Sequence, residues 1–170
     1  MPHKAPMFKR TLVWVICSQM CWQACSQEAL VSTQSLSPDT ALRVARAALD
    51  ACRKQGYQVS VAVVDRSGIE QVLLRDRFAG LHTVRVATDK AWTAASFRNT
   101  TAQLALETQA GKPMSGMRNL PRFMAVAGGL PLEVNGALVG AIGVSGAPGG
   151  DADSSCALIG QKIVSELLEF

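Results

Sequence analysis

Apolar positions along this chain follow two periods, and the switches between them mark out its elements. From Ser37 to Gly56 the period is helical, with Leu42, Ala45, Leu49 and Cys52 joining Ala41 and Ala48 on one face. Ser37-Pro38-Asp39 supplies an N-cap, a proline at the first helical position and an acidic first turn, and Gly56 suits the C′ position. Gln58–Asp65 alternates instead, sending Val59, Val61 and Val63 to one side and Ser60, Ala62 and Val64 to the other. Arg66-Ser67-Gly68 then leads into Gln71–Arg75, which predicts an antiparallel hairpin. Helical spacing returns over about Thr83 to Phe97, where Val84, Ala87, Ala91, Ala94 and Ala95 form an inner stripe. Thr100 or Thr101 caps a second short helix, which Gly111 ends.

Phe123–Ala127 reads as a strand that Gly128-Gly129 breaks or bulges. From Pro131 onward comes a second hairpin, with Asn135-Gly136 suited to a two-residue type I′ turn. Its second strand sets Leu138, Ile142 and Val144 against the small residues Ala141, Gly143 and Ser145. Side chains this small allow a helix or a flat ligand to approach, and the alanine stripe is the natural counterpart of Gly143. Gly146-Ala-Pro-Gly-Gly150 breaks the strand, and Asp151 or Asp153 is expected to cap the last helix. That helix buries Ala157, Ile159 or Gly160, Ile163, Val164 and Leu167. The order predicts an α+β fold, an antiparallel sheet of about five strands flanked by helices.

Composition changes this picture little. With 48% hydrophobic and 18% charged residues, the 170-residue chain is an ordinary globular one, long enough for a real core. The start of the chain matters more. Lys4, Lys9 and Arg10 make a positive n-region, Thr11–Cys17 begins an apolar h-region, and Ala24-Cys25-Ser26 supplies small residues for cleavage. Residues 1–26 are therefore expected to be a signal peptide, 27–36 a linker and 37–170 the domain. Cys25 after Ala24 also allows lipoprotein processing, so the expected location is periplasmic or secreted. Removing the leader takes away three basic residues and no acidic one, leaving 14 basic against 13 acidic. Nothing then argues for nucleic acid. The apolar run is too short for an integral membrane span.

Candidate chemistry is sparse. His3 and His82 are the only histidines, which excludes a multi-histidine zinc site after cleavage. Ser145 lies in Gly143-Val-Ser-Gly-Ala147, which is not G-x-S-x-G. The glycine loop before the last helix has neither G-x-G-x-x-G nor G-K-[ST], and its aspartates oppose an anion, so it reads as architecture. His82 sits just before a helix, where the dipole disfavours a positive ring, and neutral imidazole is the form that ligates metals. Lys90 lies two turns along the same helix, either exposed or aimed into a cleft. Arg98, Lys112, Arg118 and Arg122 flank a long irregular stretch, either as partners for carboxylates on a ligand or as ordinary solvated cations. Cys52 and Cys156 are either two small buried hydrophobes or, if their helices pack on one face, a disulfide.

Val63-Val-Asp-Arg-Ser-Gly68, Lys90-Ala-Trp-Thr-Ala94, Gly128-Gly-Leu-Pro-Leu132 and Gly140-Ala-Ile-Gly-Val-Ser-Gly146, in this order and spacing, resemble the GlcG/HbpS family. The resemblance spans roughly Leu36 to Leu168. It implies a somewhat profilin- or PAS-like sheet, assembly into a homo-oligomer, and a relative in the C-terminal domain of PduO-type proteins. Some members bind haem and are exported. The reading that follows is an exported protein binding haem or a related tetrapyrrole without turnover. His82 is then the iron ligand, with Lys90, Arg98 and Arg118 as further contacts. Attachment is non-covalent, because no C-x-x-C-H occurs. Methionines 114, 117 and 124 read as loop and core fillers. The alternative is an enzyme acting on a small organic acid, with Lys90 as cation and Asp65 as base in one cleft.

Overall fold

The computed structural model describes residues 31–168, so the expected signal peptide lies outside the described residues. Among the described residues four helices and four strands follow one another, together with a short 3-10 turn at Ser115–Asn119. They are α1 (Pro38–Lys54), β1 (Ser60–Asp65), β2 (Glu70–Arg75), α2 (Thr83–Phe97), α3 (Thr101–Glu107), β3 (Gly129–Val134), β4 (Ala137–Ser145) and α4 (Gly150–Leu168). The strands form one antiparallel sheet in the order β2-β1-β4-β3. This is the α+β fold read from the pattern, with four strands rather than about five.

The missing strand is Phe123–Ala127. Arg122 adopts a left-handed backbone with φ of 70°, and the Met124 N–H donates to the Thr93 hydroxyl of α2. A strand needs that donor for its ladder, so α2 holds the segment as an irregular connection. The 27–36 linker is also not free to its end. Leu36 is buried and its backbone bonds Val139 and the Gln71 side chain.

Helices cover both faces of the sheet. α1 and α4 pack on Val59, Val61, Val63, Ile142 and Val144, and the alanines of α2 pack on Ala62, Val64 and Ala141. The alternation in β1 thus serves two cores. Ser37 caps α1 through its side chain, and Gly56 follows it with φ of 81°. In the β3–β4 turn Asn135 and Gly136 have φ of 50° and 77°, as a type I′ turn requires.

Gly143 sets the distance between the sheet and α2. A Cβ there would lie 2.1 Å from the Ala87 carbonyl oxygen and 2.6 Å from the Ala91 nitrogen. Backbone cannot yield as a side-chain tip does, so Gly143→Ala must push α2 off the sheet. The expected loss is about 3 kcal/mol, the upper end for overpacking. Chemical denaturation checks it, and a change below about 1 kcal/mol would count against this packing.

α1 and α4 are joined covalently. Cys52 and Cys156 form a disulfide with Cα atoms 5.4 Å apart, both fully buried. Among the described residues no helix is long and apolar enough to cross a membrane.

Candidate functional site

A cavity of about 430 Å³ opens where the first turns of α2 meet the end of β4 and the start of α4. This is within the range of small-molecule sites. Its walls come from three separate parts of the chain: residues within Gly80–Lys90, Val126, and residues within Ser145–Asp153. The period-two side-chain rule explains Ser145. It follows Gly143 by two positions and so faces α2 as well.

His82 stands at the mouth. It is the N-cap residue of α2, yet its side chain makes no capping bond, and no hydrogen bond to its ring is formed among the described residues. The ring lies over Gly80, where a Cβ would come within 2.9 Å of its Cε1. Glycine at position 80 therefore gives the imidazole its place. Thr83, next in the chain, is buried and turned inward to Ser60 and the Gly80 carbonyl. Phe78 and Leu81 on the same connection are 77% and 92% exposed, and Val126 adds an exposed apolar group to the wall.

Lys90 forms the floor. Its side chain is 1% exposed, and Nζ donates to the Asp153 carboxylate at 2.7 Å and to the Val144 carbonyl at 2.9 Å. The other Asp153 oxygen accepts the Ala147 N–H at 3.0 Å. Burial is the largest influence on both groups, pulling Lys90 below the usual lysine range and lifting Asp153 above the usual carboxylate range. The pairing opposes both shifts. Gly128 closes over the pair, since a Cβ there would lie 2.8 Å from Nζ and 2.8 Å from the Asp153 Cβ.

The structure brings His82 and Lys90 to one cavity and places Arg98 and Arg118 elsewhere. Arg98 ends α2 in a left-handed conformation, about 24 Å along the helix from His82. Arg118 donates to the Thr108 and Ala105 carbonyls and so caps the end of α3. Asp65 is also apart from Lys90. It accepts the Ser67 and Ile69 N–H groups in the β1–β2 turn, and it pairs with Gly140, four positions from Val144 along β4. Asp153 was expected only as a helix cap. Lys90 on an alanine stripe was the signal for it, because a buried ammonium requires a counter-charge.

Sheet, helices and cavity together define an α+β domain with an antiparallel sheet covered on both faces and a cavity at the end of β4. Residues 36–162 match the HbpS-like family, described as haem degrading protein HbpS-like. The chain belongs to that family.

The crystal structure of HbpS superposes with a TM-score of 0.74 at 39% identity, covering 79% of this chain and 93% of that one. The PduOC:heme complex superposes at 0.72 with 28% identity, covering 76% of this chain and 94% of that one. The corrinoid adenosyltransferase PduO of Salmonella typhimurium is 31% identical over 106 residues, which is 61% of this chain. This chain spans only 32% of that enzyme's length.

Proposed function

We propose that this chain binds haem without turning it over, at the cavity between α2 and α4, with His82 as the iron ligand. The observation that carries the reading is the imidazole of His82, exposed at the mouth and unbonded among the described residues. The residues present fit such a group. Gly80 leaves room for the ring, and Val86 and Val126 offer apolar contact in the cavity wall. The solved PduOC:heme complex supports the reading at family level. Bound haem supplies an iron centre that accepts a histidine nitrogen. The protein's part is to orient that nitrogen and to keep the Lys90 charge compensated below it. The organic-acid reading is weaker, because Lys90 and Asp65 do not share a cleft.

Haem titration of the full-length chain is expected to give a Soret band, and His82→Ala to abolish or strongly shift it while the fold stays intact by circular dichroism. An unchanged spectrum in the variant would move the ligand to another residue.

We place the protein in the periplasm or outside the cell. The leader-like residues 1–26 support this, and so does the Cys52–Cys156 bridge, since disulfides persist in oxidising compartments. A mature N-terminus near Gln27, or a lipidated Cys25, is expected by mass spectrometry from the native host. Intact Met1 in the cytosol would contradict it. The exposed Phe78 and Leu81 support a homo-oligomer. Light scattering is expected to show a multiple of the chain mass rather than a monomer at or below 18.0 kDa.

A further inference from the structure

The first turn of α4 lacks the acidic cap expected for it. Gly149 is the N-cap, because its carbonyl accepts the Asp153 N–H at 3.1 Å, and glycine brings no side chain to the turn. The N–H groups of Gly150, Asp151 and Ala152 find no acceptor among the described residues. A Cβ at position 149 would meet nothing within 4 Å, so the space before the turn is open. Asp153 does not fill it, because both of its oxygens are held by Lys90 and Ala147.

Ser145 is the second, independent observation. It is 5% exposed, lines the same cavity, and its hydroxyl has no hydrogen-bond partner among the described residues. A hydroxyl that opens on the same cavity as Gly150 suits a group that only accepts hydrogen bonds. The helix dipole favours an anion there. Nearby charge limits which anion. Asp151 is exposed in the same turn, and Lys90 is already neutralised by Asp153, so a dianionic phosphate is repelled more than a single carboxylate.

We propose that the first turn of α4 and the Ser145 hydroxyl form a carboxylate subsite, which takes a propionate-type carboxylate of the ligand held at His82. The identity of that ligand rests on the haem reading, whereas the subsite itself does not. The N–H groups of Gly150, Asp151 and Ala152 and the Ser145 hydroxyl donate to the two oxygens. This fixes which edge of the ligand points inward.

Sodium propionate titrated into the ¹⁵N-labelled full-length chain tests the subsite without haem. The amide signals of residues 150–152 are expected to shift saturably. Ser145→Ala should weaken the response about tenfold, the size of one hydrogen bond to a charged group. Gly149→Asp is the sharper variant, since its carboxylate occupies the turn from within. It should raise the thermal midpoint, as an N-cap does, while removing the propionate response. No saturable shift in the wild type overturns the subsite. A second titration compares haem with its dimethyl ester, expected to bind about tenfold more weakly. If the ester binds equally, the haem carboxylate does not lie there. If propionate shifts the amides and haem gives no Soret band, the haem reading fails and the subsite stands.

Discussion

Reduction of the Cys52–Cys156 bridge is expected to cost the fold about 4 to 5 kcal/mol and to lower its thermal midpoint by more than about 10 °C. The two residues are 104 positions apart, so the bridge closes nearly the whole domain into one loop. In the chain-entropy account, closing a loop of this length removes much of the freedom of the unfolded state, and the stabilisation follows from that. Packing contributes little to the difference. Both cysteines are fully buried between α1 and α4, and a reduced thiol still fills the same space as a small hydrophobe. Calorimetry with and without reductant, accompanied by a thiol count, checks the value. The pair Cys52→Ala with Cys156→Ala should behave like the reduced protein to within about 2 kcal/mol, that margin being the small cavities left. An unchanged midpoint with both thiols free would remove the bridge from the list of what holds this fold.

The sequence pattern carried most of the fold because most of it is local. The Asn135-Gly136 turn needs two residues at positive φ, and few others adopt that conformation without strain. The alanine stripe of α2 and Gly143 also read correctly, as each is useless without a close partner. Pairing between distant elements was harder. The faces of α1 and α4 were legible apart from Leu42, which is exposed while Val44 is buried, and Ile159, where Gly160 is the buried alternative. Periodicity says nothing about which helices share a sheet face. Pairing of Cys52 with Cys156 follows from both helices packing on the Val61–Ile142 side, which the sequence of either helix alone does not show. Phe123–Ala127 misled for a related reason. Its composition suits a strand, yet the Thr93 hydroxyl on α2 takes its donor, a tertiary contact with no local signature.

The site was legible only in its parts. The break between β2 and α2 singles out His82, whereas Ser145 reads in the sequence only as a small strand-end residue. Their meeting in one cavity depends on the antiparallel register of β1 with β4, which sets Ser60 beside Ser145 and so places both near Thr83. Arg98 and Arg118 show the opposite case. A free cation and a helix cap look identical in sequence, and Arg118 is the cap.

Lys90→Met is expected to destabilise the domain by about 3 to 5 kcal/mol at neutral pH, because it leaves the Asp153 carboxylate buried without its partner. Asp153→Asn should cost a similar amount by stranding the ammonium. Its amide oxygen can still accept the Ala147 N–H, so the loss reads the charge rather than the loop contact. Combined, the two changes should cost less than the sum of the singles by at least about 2 kcal/mol, the signature of direct coupling. The pH dependence separates them further. In Lys90→Met, Asp153 has a folded pKa raised above its unfolded value by burial. Stability is then fullest below the ordinary carboxylate range and is lost as pH rises through the raised value, so the deficit grows from about pH 4 upward. In Asp153→Asn, Lys90 has a folded pKa lowered by burial. Stability is fullest above the ordinary lysine range, near pH 10.4, and is lost as pH falls through the lowered value. Denaturant midpoints at pH 4, 7 and 10 would show the two deficits moving in opposite directions. Additive singles with parallel pH profiles would mean that Lys90 and Asp153 act independently, and the cavity floor would then carry an uncompensated charge that its ligand must meet.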